Sequence, residues 1–159
     1  MLPMRMSMPD KLIISDTSCF IVLAKTGELN LLQLLYKQII TTVEIAEEFG
    51  EKLPEWIKIV SVSDKMKQKL LETQIDKGEA SAIALALESE NSFLILDDYK
   101  ARRLANSLKL NHTGTIGVIV AAKLKGFIPS IKPVLEKIKA TNFRISADLE
   151  LQALLQADE

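Results

Sequence analysis

Short apolar runs rich in β-branched residues alternate along the chain with longer segments in which apolar residues recur at helical spacing. The clearest strand candidates are residues 11–15, 38–41 and 93–96, and weaker ones are residues 58–62 and 110–113. Strands that are apolar throughout are typical of parallel sheets buried on both faces. Their alternation with amphipathic helices predicts an α/β fold in which a parallel central sheet lies between two layers of helices.

Helices are predicted where apolar residues recur at positions i, i+3, i+4 and i+7, as Ala80, Ile83, Ala84 and Leu87 do. The predicted helices are residues 29–37, 43–49, 64–75, 79–89, 99–108, 115–125, 129–139 and 147–155, with a further helical pattern after residues 16–18. The segment from Asn142 holds a short apolar stretch before the last helix. Packing back on the sheet and exchange onto a partner chain both remain open for this segment.

The composition describes one globular domain. The chain has 159 residues, of which 48% are hydrophobic and 26% are charged, and this length is ordinary for a single domain. We expect one domain over residues 10–159 and a disordered N-terminus over residues 1–9. Cys19 is the only cysteine of the sequence, which excludes a disulfide framework and a cysteine-based zinc site.

Hydropathy and charge limit where in the cell the protein is expected and which partners it is expected to bind. No apolar run approaches the roughly 20 residues needed to span a bilayer, and the start of the chain lacks the apolar core of a secretion signal. We therefore expect a cytoplasmic protein with no membrane association. The net charge is −1 at pH 7, so any affinity for nucleic acid has to come from a local basic patch.

Acidic residues follow two of the predicted strands. Asp16 comes directly after the first strand, and Asp97 and Asp98 come directly after the strand at 93–96. In a parallel sheet these residues share one edge, where two carboxylates about 6 Å apart repel each other by roughly 3 kcal/mol at an effective dielectric near 20. A divalent cation offsets that repulsion, and oxygen ligands suit Mg²⁺ or Mn²⁺. The alternative for Asp16 alone is a helix N-cap.

Two further acidic residues lie at the start of the predicted helix at 79–89. Residues 76–79 have the spacing of a capping box, with Asp76 as the N-cap and Glu79 at the third helical position. That reading explains both acids without any function. Glu79 also lies beside the buried stripe of its helix, so its carboxylate could reach the acids at the strand ends.

The helix at 43–49 carries further acids. Thr41 fits an N-cap, which makes Glu44 a capping or surface residue. Glu47 and Glu48 both flank the apolar face of this helix, and periodicity does not separate them. Either of them could instead be a solvated edge of the helix.

Several segments together resemble PIN-domain proteins, which are metal-dependent nucleases that include many toxins of toxin–antitoxin pairs. Those segments are residues 13–18, 45–49, 78–80, 96–102 and 113–117. The last three resemble an uncharacterised PIN-like branch of predicted nucleic-acid-binding proteins. The resemblance covers about residues 12–145 and implies a three-layer α/β/α fold with a parallel sheet of about five strands.

The resemblance also implies roles for individual residues. The implied catalytic acids and Mg²⁺ or Mn²⁺ ligands are Asp16, Glu48, Glu79 and Asp97, with Asp98 as a further metal ligand; the implied orienting or substrate-binding groups are Thr17, Ser18, Arg102 and Thr115. Between the paired acids Asp97 is favoured, because it is the first residue after the predicted strand. Glu79 departs from the family, in which most nucleases have Asp, so a different metal geometry or weak activity is expected.

Substrate is expected to bind through local cations. Lys100, Arg102 and Arg103 follow the acid pair, whereas most of the basic residues from Lys123 to Arg144 are expected on solvated helix surfaces. The tyrosines and the tryptophan are scattered and predict no aromatic platform for unpaired bases.

The resemblance implies a metal-dependent endoribonuclease that hydrolyses phosphodiester bonds with a metal-activated water. RNA is the expected substrate, with DNA as a second possibility. A toxin role further implies a small antitoxin partner, and family members commonly form homodimers. The alternative is a non-catalytic PIN-like module that binds nucleic acid or protein.

Overall fold

A five-stranded parallel sheet forms the centre of the protein in its computed structural model, which describes residues 11–159. The strands are β1 (Leu12–Ser15), β2 (Ile39–Thr42), β3 (Ile57–Val60), β4 (Ser92–Ile95) and β5 (Asn111–Thr113). Each predicted strand is present, with ends shifted by one or two residues. The expectation of a disordered N-terminus concerns residues 1–9, which lie outside the described residues.

Helices cover the sheet on both faces, so the three-layer α/β/α arrangement predicted from the sequence is confirmed for residues 11–159. The helices are α1 (Thr17–Lys25), α2 (Asn30–Tyr36), α3 (Val43–Phe49), α4 (Lys65–Leu71), α5 (Lys77–Leu87), α6 (Tyr99–Ser107), α7 (Thr115–Leu124), α8 (Lys132–Lys139) and α9 (Ala147–Gln156). The small side chains of α5 let it lie against β1, β2 and β4. Its residues Ala80, Ala82, Ile83 and Ala84 are fully buried there.

The strand order β3-β2-β1-β4-β5 places a switch point at the centre of the sheet. From β1 the chain moves outward through β2 to β3, and it then returns to the other side of β1 to add β4 and β5. At such a reversal the connections leave the sheet in opposite directions and open a crevice at the carboxyl ends of the strands. The crevice in this fold lies between the ends of β1 and β4.

The turn from β2 into α3 corrects one sequence prediction. Thr42, not Thr41, caps α3, because its side chain accepts a hydrogen bond from the backbone N–H of Ile45 at 3.1 Å. Thr41 still belongs to β2 and is fully buried, and its hydroxyl donates to the carbonyl of Ser15 at 3.0 Å. The strand extends one residue further than the apolar pattern indicated, and the cap moves with it.

The C-terminal segment packs back on its own chain. Helix α9 lies against α7, and the ammonium group of Lys123 donates to the carbonyl of Ala157. The carboxylate of Glu159 accepts hydrogen bonds from Ser130 Oγ at 2.5 Å and from the Ile131 N–H at 2.8 Å. The last residues of the chain thus stabilise the start of α8, and Lys123 holds the end of α9.

In residues 11–159 no single helix is long and apolar enough to cross a membrane. Helices α1 and α2 reach such a length only when taken together, and they meet at a bend of 120°.

Candidate active site

Asp16 and Asp97 meet at the switch point of the sheet. Ser15 and Ile95 are paired in register, so β1 and β4 end side by side. Asp16 Oδ1 accepts the N–H of Cys19 at 2.9 Å and caps α1, while its Oδ2 accepts the N–H of Asp97 at 3.0 Å. The Asp16 side chain therefore serves as an N-cap and also joins the two strand ends, so the two interpretations of this residue are compatible.

Thr115 at the start of α7 holds the side chain of Asp97. The Thr115 N–H donates to Asp97 Oδ1 at 2.8 Å, and the Thr115 hydroxyl donates to Oδ2 at 2.5 Å. Gly114 allows this close approach, because a Cβ there would lie 3.0 Å from Asp97 Oδ1 and 3.2 Å from Arg102 Nη1. The Arg102 guanidinium and the Asp97 carboxylate therefore both lie next to Gly114. Arg102 nevertheless forms no salt bridge with any acid of the described chain.

Glu48, rather than Glu47, faces the acidic strand ends. Its Oε1 accepts a hydrogen bond from Thr17 Oγ1 at 2.6 Å, and the residue remains exposed at the rim of the site. Gly78, in the first turn of α5, makes room for it, because a Cβ at that position would lie 2.6 Å from the same oxygen. Sequence reasoning assigned no such role to Gly78; its signal was a glycine inside a predicted capping box.

Glu79 approaches the site from α5. The predicted cap is confirmed, because Asp76 accepts the Glu79 N–H at 3.2 Å. The pKa of the Glu79 carboxyl is raised to about 9. Burial is the largest cause, followed by the hydrogen bond and charge of Asp76 and by the charges of Asp98 and Asp16. Glu79 therefore carries a proton at neutral pH in the absence of a cation.

Burial and the neighbouring acids together disfavour ionisation of Asp16. The side chain is 2% exposed, and burial, followed by the charge of Asp97, raises its pKa from 3.8 to about 8. Glu48 adds a smaller repulsion, and the two N–H bonds to Asp16 oppose the shift without cancelling it. The folded chain thus concentrates carboxylates in a place where their ionisation costs free energy.

A cleft of about 460 Å³ opens over these groups. Its acidic wall includes Asp16, Glu48 and Glu79, whereas Asp97 lies beside Asp16 and is not part of the wall. Another part of the wall is formed by residues of α1 and by residues 141–144, between α8 and α9. Sequence reasoning missed this wall, because an irregular segment has no periodicity that would place it next to α1.

The remaining predicted residues have separate positions. Ser18 lines the cleft beside Thr17. Asp98 is exposed and caps α6 by accepting the N–H of Ala101 at 3.0 Å, so its carboxylate is already used at the helix start. His112 pairs with a side chain of α6, and Cys19 is fully buried below the acids.

The donor set fits a hard divalent cation. The converging side chains offer carboxylate oxygens, which Mg²⁺ and Mn²⁺ prefer. A cation would offset both the burial of Asp16 and the charge of Asp97, which together raise the pKa of Asp16. As the side chains of residues 11–159 stand, no group of three or more His, Cys, Asp or Glu is arranged to hold a metal ion. Asp16 and Asp97 are the best ordered of the ligand candidates, since hydrogen bonds hold both oxygens of each carboxylate.

One of three comparisons with known proteins identifies a family. The PIN-domain family model matches residues 12–159, nearly the whole chain. Searches of curated proteins and of solved structures give no match. The PIN domain is a nuclease-type fold, and its typical use of divalent metals is consistent with acids at the carboxyl ends of the central strands. By this match and by its sheet, the chain belongs to the PIN-domain family.

Proposed function

We propose that the protein is a divalent-metal-dependent endoribonuclease that hydrolyses phosphodiester bonds in the acidic cleft. The observation that carries the proposal is the pairing of buried Asp16 with half-buried Asp97, joined by the 3.0 Å hydrogen bond from the Asp97 N–H to the Asp16 carboxylate at the centre of the sheet. Glu48 and Glu79 lie on the wall of the same cleft. A cluster of acids that resists ionisation is expected at functional sites, because a folding role alone gives no reason to retain that cost.

The bound Mg²⁺ or Mn²⁺ would supply an activated water and neutralise charge on the phosphate. Asp16 and Asp97 would hold the cation through carboxylates that are already oriented by backbone N–H groups and by Thr115. Glu48, held by Thr17, would complete the ligand set from the rim. Glu79 would give up its proton when the cation binds.

The chemistry then needs no nucleophilic side chain from the protein. Water attacks phosphorus, the bond from phosphorus to the leaving oxygen breaks, and the leaving oxygen takes up a proton. Cys19 is fully buried and His112 is held by Asn106, so neither residue lies on the cleft wall. Hydrolysis by water leaves no cyclic phosphate on the product, unlike attack by the ribose 2′-hydroxyl.

The test is cleavage of a labelled single-stranded RNA with Mn²⁺, with analysis of the product ends. Wild-type protein should give ends without a 2′,3′-cyclic phosphate, and cleavage should stop when EDTA is added. Glu48→Gln should reduce the rate at least about tenfold, since it removes a charged ligand. Glu47→Gln, the matched change on the same helix, should have the wild-type rate.

Cyclic-phosphate ends, or equal rates for the two glutamine variants, would contradict the proposed chemistry. Cleavage that persists in the double variant Asp16→Asn, Asp97→Asn would show that the activity does not belong to this site.

Further parts of the proposal come from the family alone. A toxin role with a small antitoxin partner, a homodimer and a cytoplasmic location remain predictions, and RNA is preferred to DNA on the same basis. Copurification of a small partner encoded by a neighbouring gene, together with loss of cleavage in that complex, would support the toxin role.

A further inference from the structure

Both acidic and basic side chains line the cleft. Besides these acids, the cleft is lined by Lys25, in the last turn of α1, and by Arg144, in the segment between α8 and α9. Both cations are exposed, and neither forms a salt bridge within residues 11–159. Because the acids have not paired with them, these two cations are available to bind an anion in the cleft.

The segment that carries Arg144 is held in place by the fold. The hydroxyl of Thr141 donates to the carbonyl of Ile138 at 2.6 Å and accepts the N–H of Phe143 at 3.1 Å. Two residues after Arg144, Ser146 caps α9 by accepting the N–H of Leu149 at 3.0 Å. The backbone on each side of Arg144 is therefore fixed, so its guanidinium is carried on an ordered support.

Phe143 adds an aromatic group to the same wall. Its ring is half-buried against the hydrophobic core and also lines the cleft. A neighbouring cavity of about 760 Å³ shares Phe143 and Arg144 with the cleft. Residues 141–144 thus line both concavities, and a chain that passes from the cleft into the neighbouring cavity would contact Phe143 and Arg144.

The side chains of Arg144 and Phe143 are of the kinds that bind a nucleic-acid strand. A guanidinium binds phosphate oxygens through paired hydrogen bonds, and an aromatic ring stacks on an unpaired base without regard to its identity. A base that is paired in a duplex has no free face for such stacking. A phosphate near Arg144 and a base on Phe143 would set the adjacent phosphodiester over the acidic wall.

We propose that Arg144, Phe143 and Lys25 form a subsite for single-stranded nucleic acid beside the acidic cluster. Arg144 and Lys25 bind phosphates that flank the bond at the acids, and Phe143 stacks on an unpaired base. The inference rests on the proposed function and adds the residues that position the strand. It assigns no step of the chemistry to these three side chains.

The test is fluorescence anisotropy with a short labelled single-stranded oligoribonucleotide in a Ca²⁺ buffer over a series of salt concentrations. Arg144→Ala should weaken binding about tenfold, and its log–log salt slope should fall by about 0.7, the value for one lost phosphate contact on a single strand. Lys25→Ala should reduce the slope in the same way. Lys137→Ala, which removes an exposed cation from α8, should match the wild type.

Phe143→Leu tests the stacking separately. It should weaken binding of the single strand about tenfold and leave binding of the matching duplex unchanged. Phe127→Leu is the control, because it removes an exposed ring outside both cavities. If Phe143→Leu fails to fold by circular dichroism, the slopes of the two cation variants decide alone, since both positions are exposed.

Kinetics separate this inference from the proposed function. If the protein cleaves with Mn²⁺, Arg144→Ala should raise the substrate concentration for half-maximal rate about tenfold with little change in the maximal rate. Unchanged kinetics and an unchanged slope would overturn the subsite and leave the nuclease intact. No cleavage together with the expected salt slopes would overturn the proposed nuclease activity and support the subsite. No binding of single strands by the wild-type protein would overturn the subsite.

Discussion

Replacement of Asp16 by asparagine should change how the stability of the metal-free protein depends on pH. In the folded protein burial and the charge of Asp97 raise the pKa of Asp16 to about 8, from the 3.8 of an unperturbed aspartate. Between these two values the unfolded chain has released the proton and the folded chain still holds it. Because the folded state binds more protons, the free energy of unfolding falls as the pH rises.

The size of the effect follows from one proton. Each pH unit in that interval costs the wild type about 1.4 kcal/mol, so the interval from about pH 5 to pH 8 costs roughly 4 kcal/mol. Asparagine cannot ionise, and it remains a good N-cap. Its amide group can accept only one of the two N–H bonds that Asp16 accepts, and this loss costs about 1–3 kcal/mol at every pH.

The assay is urea denaturation of both proteins in EDTA at a series of pH values. Relative to the wild type, Asp16→Asn should gain roughly 4 kcal/mol between about pH 5 and pH 8. Asp64→Asn is the matched control, because Asp64 caps α4 in the same way but is exposed. Parallel curves for the wild type and Asp16→Asn would refute the reasoning, since they would mean that Asp16 ionises without cost.

Three further outcomes test other parts of the site. Gly78→Ala should lower Mn²⁺-dependent cleavage at least about tenfold, because the new Cβ would displace the Glu48 carboxylate. The melting temperature should not fall, since alanine favours the helix by about 1 kcal/mol. Cleavage at the wild-type rate would contradict this prediction. Thr115→Val should lower cleavage about tenfold by removing the hydroxyl that donates to Asp97, and Thr115→Ser should restore it; equal rates for the two variants would exclude the positioning role. Mn²⁺ affinity measured by calorimetry should rise about tenfold or more per pH unit below pH 8. The reason is that the cation must displace the proton of Glu79, whose pKa is about 9. An affinity independent of pH would count against a protonated cluster.

The sheet and the meeting of its acids were predictable because they depend on local patterns. The strands β1 and β4 are short apolar runs, and parallel strands bring their carboxyl ends to one edge. Asp16 and Asp97 therefore had to approach each other if β1 and β4 were neighbours. The order of the strands confirms that they are.

The rest of the site depends on packing that periodicity does not encode. Glu47 and Glu48 flank the same apolar face of a helix of two turns, and only the approach of Thr17 and the space above Gly78 distinguish them. The wall at Phe143 and Arg144 is irregular chain, and its place in the cleft depends on how α9 returns to α7. Such contacts between distant segments have no signal in a single sequence.

The most direct measurement of the central claim is anomalous diffraction from a crystal of the protein soaked in Mn²⁺. Density for manganese should lie next to the carboxylates of Asp16 and Asp97, and it should be absent from crystals of the double variant Asp16→Asn, Asp97→Asn. No density at this place, at a Mn²⁺ concentration that supports RNA cleavage in solution, would contradict the account.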